Sequence, residues 1–242
     1  MQKHIDKNGF VFEDLEVKLY NEPWFHLECS SPRLRKFCHE SYNYYSQFPE
    51  KDNFLHGEIQ ANTGLVEDSS KLLLDASMSS GFVYMEALCA YLSDTYFTDK
   101  VVDNGEWSIN ICEATMVNEE VQGYHGPGIL YPHTDNPIEI IEENKRNNLD
   151  ETIFTPGVVK AVLYTADDEL NYDDYGTKLY TRKENPIGET TGYSMFNLEK
   201  EVKYVNGCLF MWAPGADTWH GTDYCSKLDN RRLFYTGEYY KI

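Results

Sequence analysis

No run of lysine and arginine long enough to make a basic footprint occurs in this chain, which carries 21 basic against 40 acidic residues and a formal charge of −19. A phosphate backbone binds through clustered cations that release its counterions, so this balance disfavours nucleic acid as a partner. Also missing is any stretch approaching the roughly 20 apolar residues of a membrane span, which predicts no membrane partner. The opening "MQKHIDKNGFVFEDLEV" mixes charges and has no continuous apolar segment, so no secretory signal is expected and the predicted location is cytoplasmic. Cys29, Cys38, Cys89, Cys112, Cys208 and Cys225 are scattered, with no C-x-x-C pair and no knuckle spacing for zinc. Free thiols in a reducing compartment account for them, and no Asn sits in an N-x-[ST] context. Repeats, low-complexity tracts and Pro/Ser-rich linkers are absent as well, so a single domain over 1–242 is expected.

What is abundant is core material: 41% hydrophobic residues and 14% aromatic ones, with 19 Tyr and 12 Phe, which is ample for an ordinary packed interior. The pattern changes character near residue 104. Before it, two segments read as helices. One covers roughly 31–48, with Ser30 or Ser31 and Pro32 as its start signal; the other covers roughly 69–97, with a break expected at "SMSSG" around Gly81. Residues 1–104 are therefore expected to be mostly helical support. After it come β-rich runs bounded by turn residues: "WSINICEATMV", "GVVKAVLYTAD", "TKLYTR", "VKYVNGCLFMWAP" and "RRLFYTGEYYKI". A mostly β fold, a sandwich or barrel supported on one face by the N-terminal helices, follows from that order. The polar stretch "IEIIEENKRNNLDETIFTP" over 138–156 reads as a lid over its mouth.

Chemistry concentrates in two places. "LYPHTDNP" separates His133 from Asp135 by one residue, and alternation in an extended strand would turn both side chains to one face. Downstream, "FMWAPGADTWHGT" presents His220 after an apolar run and a Gly/Pro turn, and "DNRRLFYTGEYY" opens a further strand with a cation. Two histidines and one carboxylate can take one face of an octahedral metal and leave the opposite positions open, the arrangement of non-haem iron(II) oxygenases. His4, His26, His39, His56 and His125 have no comparable spacing.

With these residues in view, the stretch from about 105 to 240 resembles the prolyl-hydroxylase branch of the iron(II)/2-oxoglutarate oxygenase superfamily. The matching pieces, in order, are "HTDNP", "VLYTADDE", "YGTKLYTR", "NGCLFMWAPGADTWH" and "RRLFYT". The resemblance implies a double-stranded β-helix, a jelly roll of cupin-like type. It implies iron(II) on His133, Asp135 and His220, with 2-oxoglutarate and O2 as cosubstrates. The distal carboxylate of 2-oxoglutarate would fall to Arg232 or Arg231. Arg232 is preferred because it shares its face with Thr236, while Leu233 and Tyr235 take the outer one; the family commonly has a small residue where Phe234 stands, so Arg231 stays open. Tyr164 corresponds to a position where relatives place a hydroxyl near the same carboxylate. Lys160 shares its face by alternation, though a strand lysine more often meets solvent. Tyr124, Tyr131, Asn110 and Lys160 are candidates for the cavity lining, and Trp212 and Trp219 for the core. The implied activity is hydroxylation of an unactivated C–H bond of an amino acid, peptidyl residue or small molecule, with release of succinate and CO2. Asp135 favours this, or a related desaturation or cyclisation, over halogenation. The competing readings are a non-catalytic cupin-like binding protein and a zinc-dependent hydrolase using the same ligands.

Overall fold

The structure, a computed structural model, describes residues 4–45, 57–59, 76–98, 105–115, 130–135, 159–167, 172–184, 195–222 and 231–241. Its core is built by eight strands: β6 (Gly105–Thr115), β7 (Leu130–His133), β8 (Lys160–Thr165), β9 (Tyr172–Arg182), β10 (Phe196–Tyr204), β11 (Leu209–Trp212), β12 (Trp219–Thr222) and β13 (Arg231–Lys241). Following the chain, β6, β8, β11 and β13 fall in one sheet and β7, β9, β10 and β12 in the other, and every pairing is antiparallel. The spatial orders β11-β8-β13-β6 and β10-β9-β12-β7 are those of a double-stranded β-helix, two sheets wound as a jelly roll.

Burial explains why these sequences take these places. On β8, Val162 and Tyr164 join Phe210 and Trp212 of β11 and Phe234 of β13 in a cluster that also holds Leu179, Val202 and Tyr204 of the smaller sheet. That cluster is the barrel interior. The alternate residues Ala161, Leu163, Leu209, Met211, Tyr235 and Tyr239 belong to a second cluster with the helices. Both faces of β8 and β11 are thus covered, which is why "AVLYT" and "LFMW" read as continuous apolar runs. Toward its C-terminal end β10 is covered on one face only, with Val202 and Tyr204 buried and Lys203 exposed between them.

Two helices back the larger sheet among the described residues. α1 (Pro32–Tyr45) starts where expected: the Ser31 hydroxyl accepts the Leu34 N–H at 3.1 Å as an N-cap, and Pro32 takes the first helical position, where no N–H is needed. α2 (Ala76–Tyr96) runs through Gly81 without the expected break. A Cβ at Gly81 would overlap the Phe37 ring, so the glycine serves close helix packing and not a turn. Phe37 in turn stacks on Tyr235, whose hydroxyl donates to Ser41 Oγ at 2.9 Å while Ser41 donates to the Phe37 carbonyl.

The N-terminal part carries strands beside its helices. β1 (His4–Ile5) and β2 (Val11–Phe12) form a hairpin, and β3 (Glu16–Tyr20) and β4 (His26–Ser30) extend the larger sheet beside β11. β3 is an edge strand studded with Glu16 and Lys18, and such charges, which protect edges from mispairing, mask the strand pattern in the sequence. β5 (Gly57–Ile59) pairs with β6 at the opposite edge. A further correction concerns "VKYVNGCLFMWAP", which is two strands in different sheets. The turn at Gly207 adopts φ +73°, and a side chain there would meet the Arg35 backbone at 2.7 Å. The supposed lid, 138–156, lies outside the described residues, and no described helix is long and apolar enough to cross a membrane.

Candidate metal centre

β7 and β12 are neighbours in the smaller sheet, and their register sets His133 directly opposite His220, with ring centroids 4.4 Å apart. Asp135 lies just past the end of β7, two residues beyond His133. Its Oδ2 is 3.2 Å from His220 Nε2 and its Oδ1 3.7 Å from His133 Nε2. One ligand atom from each residue falls within 4.8 Å of the others. Ligands in adjacent positions around a metal at about 2.1 Å stand roughly 3 Å apart, so the spacing suits a cation between them.

Local structure prepares these atoms. Between β11 and β12, Gly215 and Thr218 close a turn: Thr218 donates its hydroxyl to the Gly215 carbonyl at 2.9 Å and accepts the Gly215 N–H at 3.0 Å. The Thr218 carbonyl then accepts His220 Nδ1–H at 3.0 Å, which orients the ring with Nε2 toward Asp135. Trp212 meets the His220 ring edge-on at 4.9 Å and walls one side. Burial alone would raise the Asp135 carboxyl. The hydrogen bond and charge of His220, then Lys160 and His133, outweigh it and hold the group well below the usual carboxylate range. It is therefore ionised, as a ligand must be.

Lys160, the cavity candidate on β8, turns to the metal group and not to solvent. It opens β8 with Nζ 3.2 Å from Asp135 Oδ2 and 2.7 Å from Glu238 Oε1. Burial works against its charge, but Asp135 and Glu238 prevail and raise its pKa. Glu238 was missed by the sequence reading, although it shares period-two parity with Arg232, Phe234 and Thr236. The hydroxyl of Tyr164, fully buried, spans to the smaller sheet, 2.6 Å from Thr177 Oγ1 and accepting the Thr177 N–H at 3.1 Å. Trp212 is core, as expected, and its buried indole N–H, like that of Trp24, meets no acceptor among the described residues. Trp219 instead packs on Phe196 under Arg182, half-buried.

The two arginines are separated by register. β13 pairs with β6 from Arg231 to Lys241 without a bulge, so alternation is unbroken along it. Arg232 takes the parity of Phe234, which lies in the barrel interior, and Arg231 that of Tyr235, which packs on the helices. Asn110 occupies the register position opposite Thr236. Tyr131 lies on β7, with its side chain, like those of Arg231, Arg232 and Asn110, outside what is described; Tyr124 lies outside altogether.

Fold and cluster together define a double-stranded β-helix with a two-histidine, one-carboxylate group on its smaller sheet. Solved structures similar to the chain include a Pseudomonas putida prolyl-4-hydroxylase, at 14% identity over 95% of this chain and 93% of that one, TM-score 0.43. HygX from Streptomyces hygroscopicus, solved with nickel and 2-oxoglutarate, is 15% identical over 89% and 82%, TM-score 0.48. A further HygX structure also holds hygromycin B, at 14% identity over 89% and 82%, TM-score 0.46. No protein-family profile and no curated protein sequence matches the chain.

Proposed function

We propose that this protein is an iron(II)- and 2-oxoglutarate-dependent oxygenase that hydroxylates an unactivated C–H bond of an amino acid, a peptidyl residue or a small molecule. The observation that carries the reading is the convergence of His133, Asp135 and His220, with the His220 ring oriented by a backbone carbonyl and the carboxylate ionised. Three protein ligands on one side of a metal leave the other side for a bidentate cosubstrate and O2. When bound, iron(II) and 2-oxoglutarate supply the oxidising chemistry, converting the cosubstrate and O2 to succinate and CO2 as the C–H bond is hydroxylated.

The chain's own contribution is to hold, orient and shield. His133 and His220 keep two nitrogens side by side across β7 and β12, and Asp135 adds the charge that a dication needs. Phe210, Trp212, Tyr164 and Phe234 fill the interior next to them and exclude water. Arg232, on the interior parity of β13, is assigned the distal carboxylate of 2-oxoglutarate, which its planar fork matches in a bidentate pair. Tyr164, two positions from the interior residue Val162 and paired in register with Phe234, shares the interior parity assigned to that arginine.

Anaerobic reconstitution with iron(II) and 2-oxoglutarate tests the reading. The expected result is a visible charge-transfer band, followed in air by succinate formation that a screen of amino acids and peptides accelerates. Absence of both the band and succinate in iron-loaded protein would overturn it, and hydrolysis supported by zinc without 2-oxoglutarate would replace it.

A further inference from the structure

We propose that Lys160, braced by Glu238, is a positioning residue that holds the Asp135 carboxylate ready for the metal; the inference rests on the metal-centre reading above. Asp135 stands in coil beyond the end of β7, where no strand pairing fixes it. Lys160 is the first residue of β8 and reaches it from the other sheet, its Nζ 3.2 Å from Oδ2. Strand register places Lys160 between Trp212 on β11 and Glu238 on β13. Glu238 Oε1 takes the same ammonium at 2.7 Å, so the lysine is anchored from one side while it holds Asp135 on the other. All three side chains are mostly buried, at 17, 18 and 31% exposure for Lys160, Asp135 and Glu238.

The charges explain why the brace has two members. Lys160 with Asp135 alone would be neutral and would offer a dication little attraction. Glu238 restores one net negative charge, the same as an isolated aspartate, while the lysine keeps its grip. Charge and positioning therefore predict opposite signs for one substitution. Removing the ammonium leaves two carboxylates, so electrostatics alone would tighten metal binding. Loss of positioning loosens it, as removal of groups that orient metal ligands does by about 10- to 100-fold.

Cobalt(II) is the probe, with affinity read from its visible ligand-field absorption and folding checked by circular dichroism. Lys160→Met and Lys160→Gln should weaken cobalt(II) binding about 10-fold or more and alter the band shape, and Lys160→Arg should recover most of the affinity. Glu238→Gln should weaken binding as well. Unchanged or tighter cobalt(II) binding by folded Lys160→Met or Lys160→Gln overturns the inference and leaves the metal centre standing. A wild-type protein with no cobalt(II) signal that His220→Ala removes overturns both.

Discussion

At the scale of single residues, the three ligand atoms line a site and are not what the core is made of. His133→Ala or His220→Ala is therefore expected to abolish iron-dependent turnover while the circular dichroism spectrum stays that of the wild type. Loss of the fold in both variants would contradict this. The arginines give a sharper contrast. Losing a bidentate, charge-assisted pair in a sheltered pocket costs on the order of 2 to 5 kcal/mol, so Arg232→Gln should raise the apparent KM for 2-oxoglutarate about 30-fold or more. Arg231→Gln, on the helix-facing parity of β13, should change it by only a few-fold; a reversed pattern would reassign the anchor. The grouping of His133, Asp135 and His220 was legible from their spacing. The Lys160–Glu238 pair was not, since it depends on the register of β8 against β13, and that register is set by the packing of the whole sheet.

At the scale of elements, the sequence was misleading where packing overrides local preference. Gly81 has a poor helical propensity and sits among serines, yet α2 passes through it because α1 lies too close for any side chain. Gly81→Ala, which local propensity would favour, is expected to destabilise the fold by about 1 to 3 kcal/mol through overpacking against Phe37. Urea denaturation of the two proteins reads this directly, and a stabilised Gly81→Ala would show that α1 yields at no cost. The β8 and β11 runs were easy to recognise because burial on both faces makes them continuously apolar. β3 was hidden because an edge strand can afford its charges, and the β10–β11 boundary because one Asn-Gly pair carries the whole change of sheet.

For the whole molecule, the N-terminal strands do more than extend a sheet, because β4 is tied to β10 of the opposite sheet. Lys200 of β10 donates to Glu28 at 2.7 Å and to His26 Nε2 at 3.0 Å, and lies 3.0 Å over the centre of the Tyr20 ring. His26 is fully buried, stacked on Tyr20 and edge-on to Phe210, and its Nδ1–H donates to the Trp24 carbonyl at 2.8 Å. The ring must be neutral to accept from Lys200. Burial is the largest effect and lowers the His26 pKa; the Trp24 carbonyl opposes it, and the Lys200 charge lowers it further against Glu28. Because the folded value lies below the ordinary 6.5, the unfolded chain binds the extra proton first as pH falls. Stability is then full above about pH 6.5 and declines as the solution is acidified toward the lowered folded value. Asp135, whose carboxyl is held down and not up, begins to lose its contribution only as the pH falls below the ordinary carboxylate value of 3.8. Chelator-treated protein unfolded in urea at pH 7.5 and pH 5.5 should show a lower midpoint at the acidic value. His26→Gln, which keeps an acceptor for Lys200 but cannot titrate, should be less stable at pH 7.5 and yet show a smaller difference between the two. An equal pH dependence in both proteins would place the titrating group elsewhere and leave the β4–β10 tie as packing alone.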